Sequence, residues 1–322
     1  KKVKMPTSIG YGNGYQISYM NSGKMTNKGW EFRVDAVPFQ NKDWRVGVYF
    51  NIAHNENKIT EMPDNYIEEN YTFGNGNYAY RREEGRPMGS FYGYRYKGVY
   101  QNKDATYARD IEGNVMKDIS GNAIVMRNGS YTVAPGDAIY EDVNHDGVIN
   151  QYDIVYLGNS NPRLTGGAGL NVSYKQFKLS AIFYGRYGQD VVNATRLNNE
   201  SMRGIDNQST AVLRRWRNEG DQTDIPRALY GEGYNTLGSD RFVEDASYLR
   251  LKSLSFTYRL PKKAIQRWGF NNIDVYVTGY NLFTWTNYTG QDPEVKTENT
   301  YAKDTATTPA SIQLVAGFNL SF

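Results

Sequence analysis

The chain has 322 residues, of which 39% are hydrophobic and 14% aromatic, and its formal net charge is +3. That charge is too small to indicate a nucleic-acid partner, so no nucleic acid is expected. The absence of cysteine excludes a disulfide scaffold and a thiolate site, and two histidines, His54 and His145, leave little room for a histidine-based catalytic or zinc site. The chain contains no run of about 18 apolar residues, so no transmembrane helix is predicted. A membrane barrel is still allowed, because its strands are apolar only at every second position.

Nine segments with the alternation typical of strands follow one another, separated by turn-forming residues. In chain order they are 30–38, 44–53, 78–82, 90–100, 166–174, 177–187, 247–259, 273–283 and 312–322. A weaker pattern indicates another strand near residues 15–20. The chain is therefore predicted to be all-β.

The last segment is the most informative, because its residues separate onto two faces. Side chains alternate across a strand, so one face collects Leu314, Ala316, Phe318, Leu320 and Phe322. The other face collects Gln313, Gly317, Asn319 and Ser321, with Val315 as the one apolar exception. A closing strand of a transmembrane barrel has this pattern, and so does the final strand of a soluble sandwich.

The connections between the predicted strands alternate in length. Short turns lie near 39–43, 85–89, 175–177 and 260–271, and long segments near 56–76, 101–164, 188–245 and 284–311. Outer-membrane barrels have short periplasmic turns and long extracellular loops. If the terminal strand ends in the periplasm, every long segment lies outside, which favours a transmembrane antiparallel β-barrel over a sandwich.

One loop has the spacing of a calcium site. Residues 142–153 match a twelve-residue EF-type loop, with a glycine, Gly147, at the position of the sharp turn. The predicted oxygen ligands are Asp142, Asn144, Asp146, the carbonyl of Val148, Asn150 and Asp153. A structural Ca²⁺ that stabilises the long 101–164 loop is predicted, and the alternative is a polar turn without metal, because Asp, Asn and Gly are common in turns.

Several motifs together resemble one protein family. They are N-K-G-W-E at 27–31, G-R-P-M-G-S-F-Y-G-Y at 85–94, the acidic loop 142–153 followed by G-N-S-N-P at 158–162, T-D-I-P-R at 223–227, residues 243–252, Y-N-L-F at 280–283 and D-P-E at 292–294, before the terminal Phe322. With these motifs in this order, the chain resembles the C-terminal barrel portion of the SusC/RagA family of TonB-dependent outer-membrane transporters of Bacteroidota. The resemblance spans nearly all of the chain.

The resemblance implies a 22-stranded barrel in the cell outer membrane, of which residues 1–322 supply roughly the last nine or ten strands, with the plug domain absent. It implies import of glycans or peptides, no enzymatic activity and no catalytic residues. The implied partners are a SusD-like surface lipoprotein that covers the outer face, outer-membrane lipid, and the TonB complex through the missing N-terminal part. The loops 188–245 and 284–311 would then meet the oligosaccharide or peptide substrate and the lipoprotein.

Six aromatic residues at predicted strand ends are expected either in the interfacial girdle and packing or in contact with substrate. They are Tyr92, Tyr94, Tyr96, Tyr280, Phe283 and Trp285.

Three alternatives remain at this stage. A soluble or surface glycan-binding β-domain with a calcium-stabilised loop is the main one, and as an enzyme it would need a cleft with paired carboxylates. An adhesion module of the dockerin type shares the acidic pattern, but such modules carry it twice with helices around it. A small pore without TonB coupling would need an even number of strands and an export signal.

Overall fold

A computed structural model describes residues 2–8, 17–62, 76–79, 82–298 and 301–322. These residues form strands β1 to β18. The strands are β1 Lys2–Ser8, β2 Ile17–Gln40, β3 Trp44–Glu61, β4 Ser90–Gly93, β5 Tyr96–Val99, β6 Arg127–Asn128, β7 Tyr131–Thr132, β8 Ala138–Tyr140, β9 Val155–Asn159, β10 Leu164–Tyr174, β11 Phe177–Tyr187, β12 Asp190–Asn193, β13 Val243–Asp245, β14 Tyr248–Arg259, β15 Asn272–Thr286, β16 Thr297–Glu298, β17 Tyr301–Asp304 and β18 Gln313–Ser321.

Helical structure is sparse. The α-helices are α1 Ala194–Asn199 and α2 Lys262–Ile265, and short 3₁₀ turns occupy Asp104–Thr106, Gln151–Asp153, Thr210–Arg214, Tyr234–Thr236, Asp240–Phe242 and Gln266–Trp268. Among the described residues, no helix is both long and apolar enough to cross a membrane.

Eight strands form one large antiparallel sheet in the order β1-β2-β3-β10-β11-β14-β15-β18. At one end of this sheet, which we call the turn end, residues 41–43, 175–176 and 260–271 join neighbouring strands. At the opposite end, the loop end, the connections are residues 62–163, 188–247 and 287–312. Short and long connections therefore lie at opposite ends of the sheet, as the sequence predicted for the turns near 39–43, 175–177 and 260–271. The predicted short turn at 85–89 is wrong, because these residues lie inside the 62–163 connection at the loop end, which also contains most of the long segments predicted near 56–76 and 101–164.

The register gives the sheet one apolar face. A row of apolar residues crosses five strands at Phe318, Val275, Tyr258, Phe177 and Tyr174, each paired with the next. The neighbouring rows are also apolar, and one of them runs through Ala316, Val277, Phe256, Leu179, Val172, Val46 and Phe39. Because successive side chains alternate between faces, the positions between these apolar residues lie on the opposite face. They include Ser, Thr, Asn, Lys and Arg, so this face is polar.

The apolar face has the height that a bilayer requires. On β14 the face extends from Tyr258 to Leu249, nine positions along the strand. At about 3.4 Å per residue this is about 30 Å along the strand, and a tilt of about 40° leaves about 23 Å, close to the apolar band of outer-membrane barrels. Many of these side chains are exposed, including Val277 at 52% and Phe318 at 67%.

Seven of the nine predicted strands join this sheet, and two do not. Within residues 90–100, β4 pairs with β9 and β5 pairs with β8, both inside the 62–163 connection. All four residues of β4 are buried, so this strand has no lipid-facing side, and its alternation reflects packing between loops. In the other segment, 78–82, Ala79 makes an isolated bridge to Tyr92, and residues 80–81 lie outside the described part of the chain.

The strand limits also differ from the prediction. The strand predicted near residues 15–20 is the beginning of β2, which starts at Ile17, while residues 15–16 lie outside the described part. β3 continues to Glu61, well past residue 53. The two predicted strands that do not join the sheet, 78–82 and 90–100, are adjacent in the chain. Leaving out an adjacent pair does not change the direction of the other strands, so their connections still lie at the predicted ends.

The largest buried core lies in the connections at the loop end. It is built from aromatic and aliphatic side chains: Ala79, Tyr92, Tyr94, Tyr100, Ala108, Met126, Val133, Ala138, Tyr140, Ile149, Ile154, Tyr234 and Leu237. These residues come from the 62–163 and 188–247 connections, so the two connections fold together as a compact body. The sheet itself contributes little to this core because its apolar face is exposed.

Candidate functional site

The candidate site is the polar face of the sheet together with the loops that pack against it. Cross-strand hydrogen bonds define this face: Ser180 Oγ donates to Asn171 Oδ1 over 2.8 Å, and the hydroxyls of Ser255 and Thr278 lie 2.7 Å apart. Each bond joins residues that are directly paired in the register. A hydrogen-bonded polar face opposite an apolar one suits a wall between lipid and a water-filled passage.

A cluster of charges on β14 holds the 287–312 connection against this face. Arg250 is only 2% exposed, and its guanidinium donates to Asp292 over 2.5 Å and to Glu294 over 2.9 Å. Its Nε also donates to Thr284 over 2.8 Å, and Lys252 lies 2.8 Å from Glu294. The acidic pair of the D-P-E motif is thus neutralised by the wall, which fixes the loop in the lumen.

Asp292 titrates below its usual range. Burial alone would raise the pKa of this carboxyl, but the backbone amides of Ala310 and Glu294 and the Arg250 guanidinium overcome that effect and lower the pKa. The charged form of Asp292 is therefore the one that the folded loop stabilises.

A second cluster joins two connections at the loop end. Glu244 accepts from the amide of Thr289 over 2.9 Å and from Arg196 over 3.2 Å. Nearby, Tyr288 donates its hydroxyl to Asp304 over 2.6 Å. These contacts tie the 188–247 connection to the 287–312 connection, so both predicted substrate loops form one surface above the lumen.

Five of the six predicted aromatic residues form two groups, and Tyr280 belongs to neither. Tyr92 and Tyr94 are 0% and 3% exposed in the loop core, and Tyr96 donates its hydroxyl to the carbonyl of Asp224 over 2.6 Å. Phe283 and Trp285 are 60% and 52% exposed on the apolar face near the loop end. Tyr280 is 40% exposed and pairs with Gln313. The first group packs loops, whereas Phe283 and Trp285 have the location of an interfacial girdle.

The acidic loop folds with the geometry that its spacing suggests. Asp142 accepts from the amides of Asp146 and Gly147, over 3.2 and 2.8 Å, and Asp146 accepts from the amide of Val148 over 2.8 Å. Gly147 has a φ of +80°, which favours glycine. Ile149 is fully buried and anchors the loop in the large core.

The predicted ligand residues Asn144, Asn150 and Asp153 form hydrogen bonds within the loop. Asn144 donates to Asp146 over 2.9 Å, and Asn150 donates to the carbonyl of Val148 over 3.1 Å. Asp153 is fully buried, and its two oxygens accept from the amides of Val143 and Asn150, each over 2.8 Å. Burial raises the pKa of the Asp153 carboxyl.

These oxygen donors fit a hard cation in kind. Across the described residues, however, no group of three or more acidic or histidine side chains is placed to hold a metal. Calcium at this loop therefore stays a prediction.

Sequence reasoning missed two features of the loop-end body. Residues 110–117 and 118–125 (D-I-E-G-N-V-M-K and D-I-S-G-N-A-I-V) are a tandem repeat with identical turns, in which Asp110 and Asp118 each accept from the amide of an asparagine four residues later. Self-similarity at a period of eight was the available signal. The role of Arg250 carried no such signal, because its acidic partners lie more than forty residues away.

Comparison with known proteins was consistent across sequence and structure. No protein-family model matches the chain. The chain is 32% identical over 294 residues to TonB-dependent receptor P3 of Formosa agariphila, an alignment covering 89% of this chain and 27% of that receptor. It is 27% identical over 329 residues to TonB-dependent receptor SusC of Bacteroides thetaiotaomicron, covering 99% of this chain and 28% of SusC.

Solved structures with the same architecture include those of the RagAB peptide transporter. One gives a TM-score of 0.72 at 26% identity and covers 98% of this chain and 31% of that chain. The importer in its open-open state gives a TM-score of 0.70 at 26% identity and covers 100% and 31%. The chain thus spans about a third of the length of these proteins, and its sheet is an arc of a barrel of this type.

Proposed function

Because this chain belongs to the SusC/RagA family of TonB-dependent receptors, we propose that it supplies barrel wall and outer loops to an outer-membrane importer of oligomeric nutrients. The observation that carries the proposal is the continuous separation of the sheet into an apolar and a polar face over bilayer height. Lipid-facing residues such as Val277 and Phe318 hold the wall in the bilayer. Polar-face residues line a passage through which a hydrophilic oligomer moves.

In this proposal the loop end faces the cell exterior and the turn end faces the periplasm. The surface formed by Glu244, Thr289 and the Arg250 cluster then meets the substrate as it enters. A SusD-like surface lipoprotein covers this end, and the TonB complex acts through a part of the protein outside this chain. Both kinds of cargo, glycans and peptides, remain within the proposal, and the relative RagAB is a peptide transporter by name.

The chain's own residues need no catalytic step for this role. Its relatives are receptors and transporters rather than enzymes. The alternative, a soluble or surface glycan-binding β-domain, leaves the apolar face without a function, because a soluble protein rarely exposes so large an apolar patch.

We also propose that calcium stabilises the 142–153 loop without taking part in transport. Asp142, Asn144, Asp146, the carbonyl of Val148, Asn150 and Asp153 are the oxygen donors that would hold it. Because Ile149 of this loop is buried in the loop-end core, a bound calcium ion would stabilise that core and would not act on the passage.

Uptake by cells tests the import proposal. A strain that lacks the full-length parent protein is complemented with the parent, and accumulation of fluorescent oligosaccharide and peptide mixtures is measured with and without active TonB. We expect TonB-dependent uptake of at least one mixture. The proposal fails if the parent protein is absent from the membrane fraction, or if neither mixture accumulates in cells that display the folded protein.

A further inference from the structure

Strand β3 extends past its neighbour in the sheet. β10 begins at Leu164, which pairs with His54, while β3 continues to Glu61. Beyond the end of β10, the next residue of β3 with a partner on that side is Ile59, whose amide donates to the carbonyl of Arg86 and whose carbonyl accepts from Gly85, each over 2.9 Å. The edge of β3 is therefore open between Ala53 and Ile59.

The backbone groups at this opening belong to Asn55 and Asn57. Alternate residues of a strand direct their N–H and C=O to the same side, and Ile59 directs both away from β2. The register of β3 with β2 is uninterrupted from Lys58 to Val48, so Asn55 and Asn57 share the orientation of Ile59. At the other end of β3, the carbonyl of Asp43 accepts from Lys175 on this same side, which confirms the alternation.

Two amides and two carbonyls thus face the opening. No described residue forms a hydrogen bond with the backbone of Asn55 or Asn57 on this side. Unpaired groups at a strand edge form a template for another strand.

A polar cavity of about 390 Å³ lies beside this edge. Its lining includes Asn55, Asn57, Asn159, Asn161, Arg163 and Asp190. One wall is held in place by hydrogen bonds, because Asn159 and Asn161 both donate to the carbonyl of Met88, over 3.1 and 2.6 Å. The amide of Met88 in turn donates to the side-chain oxygen of Asn57 over 2.7 Å, which leaves the backbone groups of Asn57 on this side unbonded among the described residues. Asp190 accepts from the amide of Asn159 over 3.0 Å. The opening is therefore a built pocket next to an unpaired strand edge.

We propose that this edge binds an extended peptide by strand addition, with Asn55 and Asn57 supplying the backbone contacts. An extended peptide repeats its donors and acceptors every second residue, at about 6.8 Å, as β3 does. The hydroxyl groups of a glycan have no such fixed alternation. The inference rests on the proposed import function, within which it assigns a peptide-binding site to the loop end.

Proline substitution tests the backbone contact directly. The amide of Asn55 faces the opening, so Asn55→Pro removes a donor for the peptide without breaking a β2–β3 bond. Asn55→Ala is the matched control, because it removes the same side chain and keeps the amide. Both variants are made in the full-length parent protein, purified in detergent and checked for the folded form by heat-modifiable gel mobility.

The probe is a fluorescein-labelled heptapeptide of alternating serine and valine, and binding is measured by fluorescence polarisation. We expect Asn55→Ala to bind like the wild type, Asn55→Pro to bind roughly five- to tenfold more weakly, and the same peptide N-methylated at alternate amides to lose a similar factor, as expected for a lost hydrogen bond. Equal binding of the two variants, or of the methylated peptide, overturns the site. Loss of cellular uptake with edge binding intact would instead overturn the import function alone.

Discussion

Arg250 on the wall strand β14 binds Asp292 in the connection that follows β15, with 2.5 Å between guanidinium and carboxylate. The same guanidinium binds Glu294, two residues further along the chain. The connection is therefore folded back onto the polar face and held by a buried cation. Without such a contact, a loop of this length would be mobile.

Replacing Arg250 by alanine should release this loop. The substitution leaves two partly buried carboxylates without their cation, at a cost of about 2 kcal/mol, less than for a fully buried pair because Glu294 is 29% exposed. We expect the amides of residues 288–296 to exchange hydrogen about 30-fold faster, measured by mass spectrometry.

The exposed pair between Arg259 and Asp274 provides the control for this experiment. Arg259 also forms a salt bridge from β14, but its side chain is 58% exposed. Arg259→Ala should leave exchange in the loop unchanged, because exposed pairs contribute little. Equal exchange in Arg250→Ala and the wild type would show that the loop is held by other contacts.

Acidification should open the same loop. The pKa of Asp292 is lower in the folded protein than its ordinary value of 3.8, so its contribution to stability is fully present above that value. The contribution is lost as the pH falls below 3.8 and through the depressed pKa. Proteolysis by pepsin, which works at low pH, should therefore cut the loop increasingly between about pH 4 and pH 2, and a cleavage rate that stays constant would contradict this assignment.

Calcium should raise the melting temperature of the protein in a way that depends on Asp142. At a concentration of 100 times its dissociation constant, a bound ion stabilises by about 2.7 kcal/mol. We expect EDTA to lower the melting temperature, and Asp142→Asn to abolish the difference. Asp118→Asn, in an exposed turn of the tandem repeat, is the control and should keep it. If the melting temperature does not change with calcium, this loop does not bind the ion.

A charge on the apolar face should impair membrane assembly. Val277 is 52% exposed on that face, and an arginine there costs about 2–4 kcal/mol if it lies near the middle of the bilayer. Tyr276→Arg places the same charge one residue away, on the polar face. We expect Val277→Arg to reduce the heat-modifiable folded fraction in outer membranes and Tyr276→Arg to retain it. Equal yields would argue against lipid on this face.

The prediction of the wall succeeded where alternation had a single cause. In segments such as 177–187, polar and apolar residues alternate because the strand has one exposed apolar face and one polar face, and this segment is strand β11. In residues 90–100 a similar alternation arises because tyrosines pack between loops, with Tyr92 fully buried. A local pattern does not distinguish the two causes, because it records polarity and not what covers each face.

The candidate site was less predictable than the wall. The predicted ligand positions of the 142–153 loop rest on local spacing alone, and the loop forms the expected turn at Gly147. The contacts of Arg250 with Asp292 and of Glu244 with Thr289 join residues more than forty positions apart. Such contacts depend on which loops fold into the lumen, and no local pattern encodes that choice.

The sequence by itself determined seven strands of the wall, their two faces and the side of the sheet on which their connections lie, since these follow from periodicity two and from turn chemistry. Only the tertiary structure decided that two predicted wall strands belong to a loop-end core, that the D-P-E segment is bound by Arg250, and that β3 has an open edge at Asn55 and Asn57. The physical reason is that these features depend on which strands and loops become neighbours. Neighbours are chosen by packing and hydrogen bonding over long separations, after the local pattern has been satisfied.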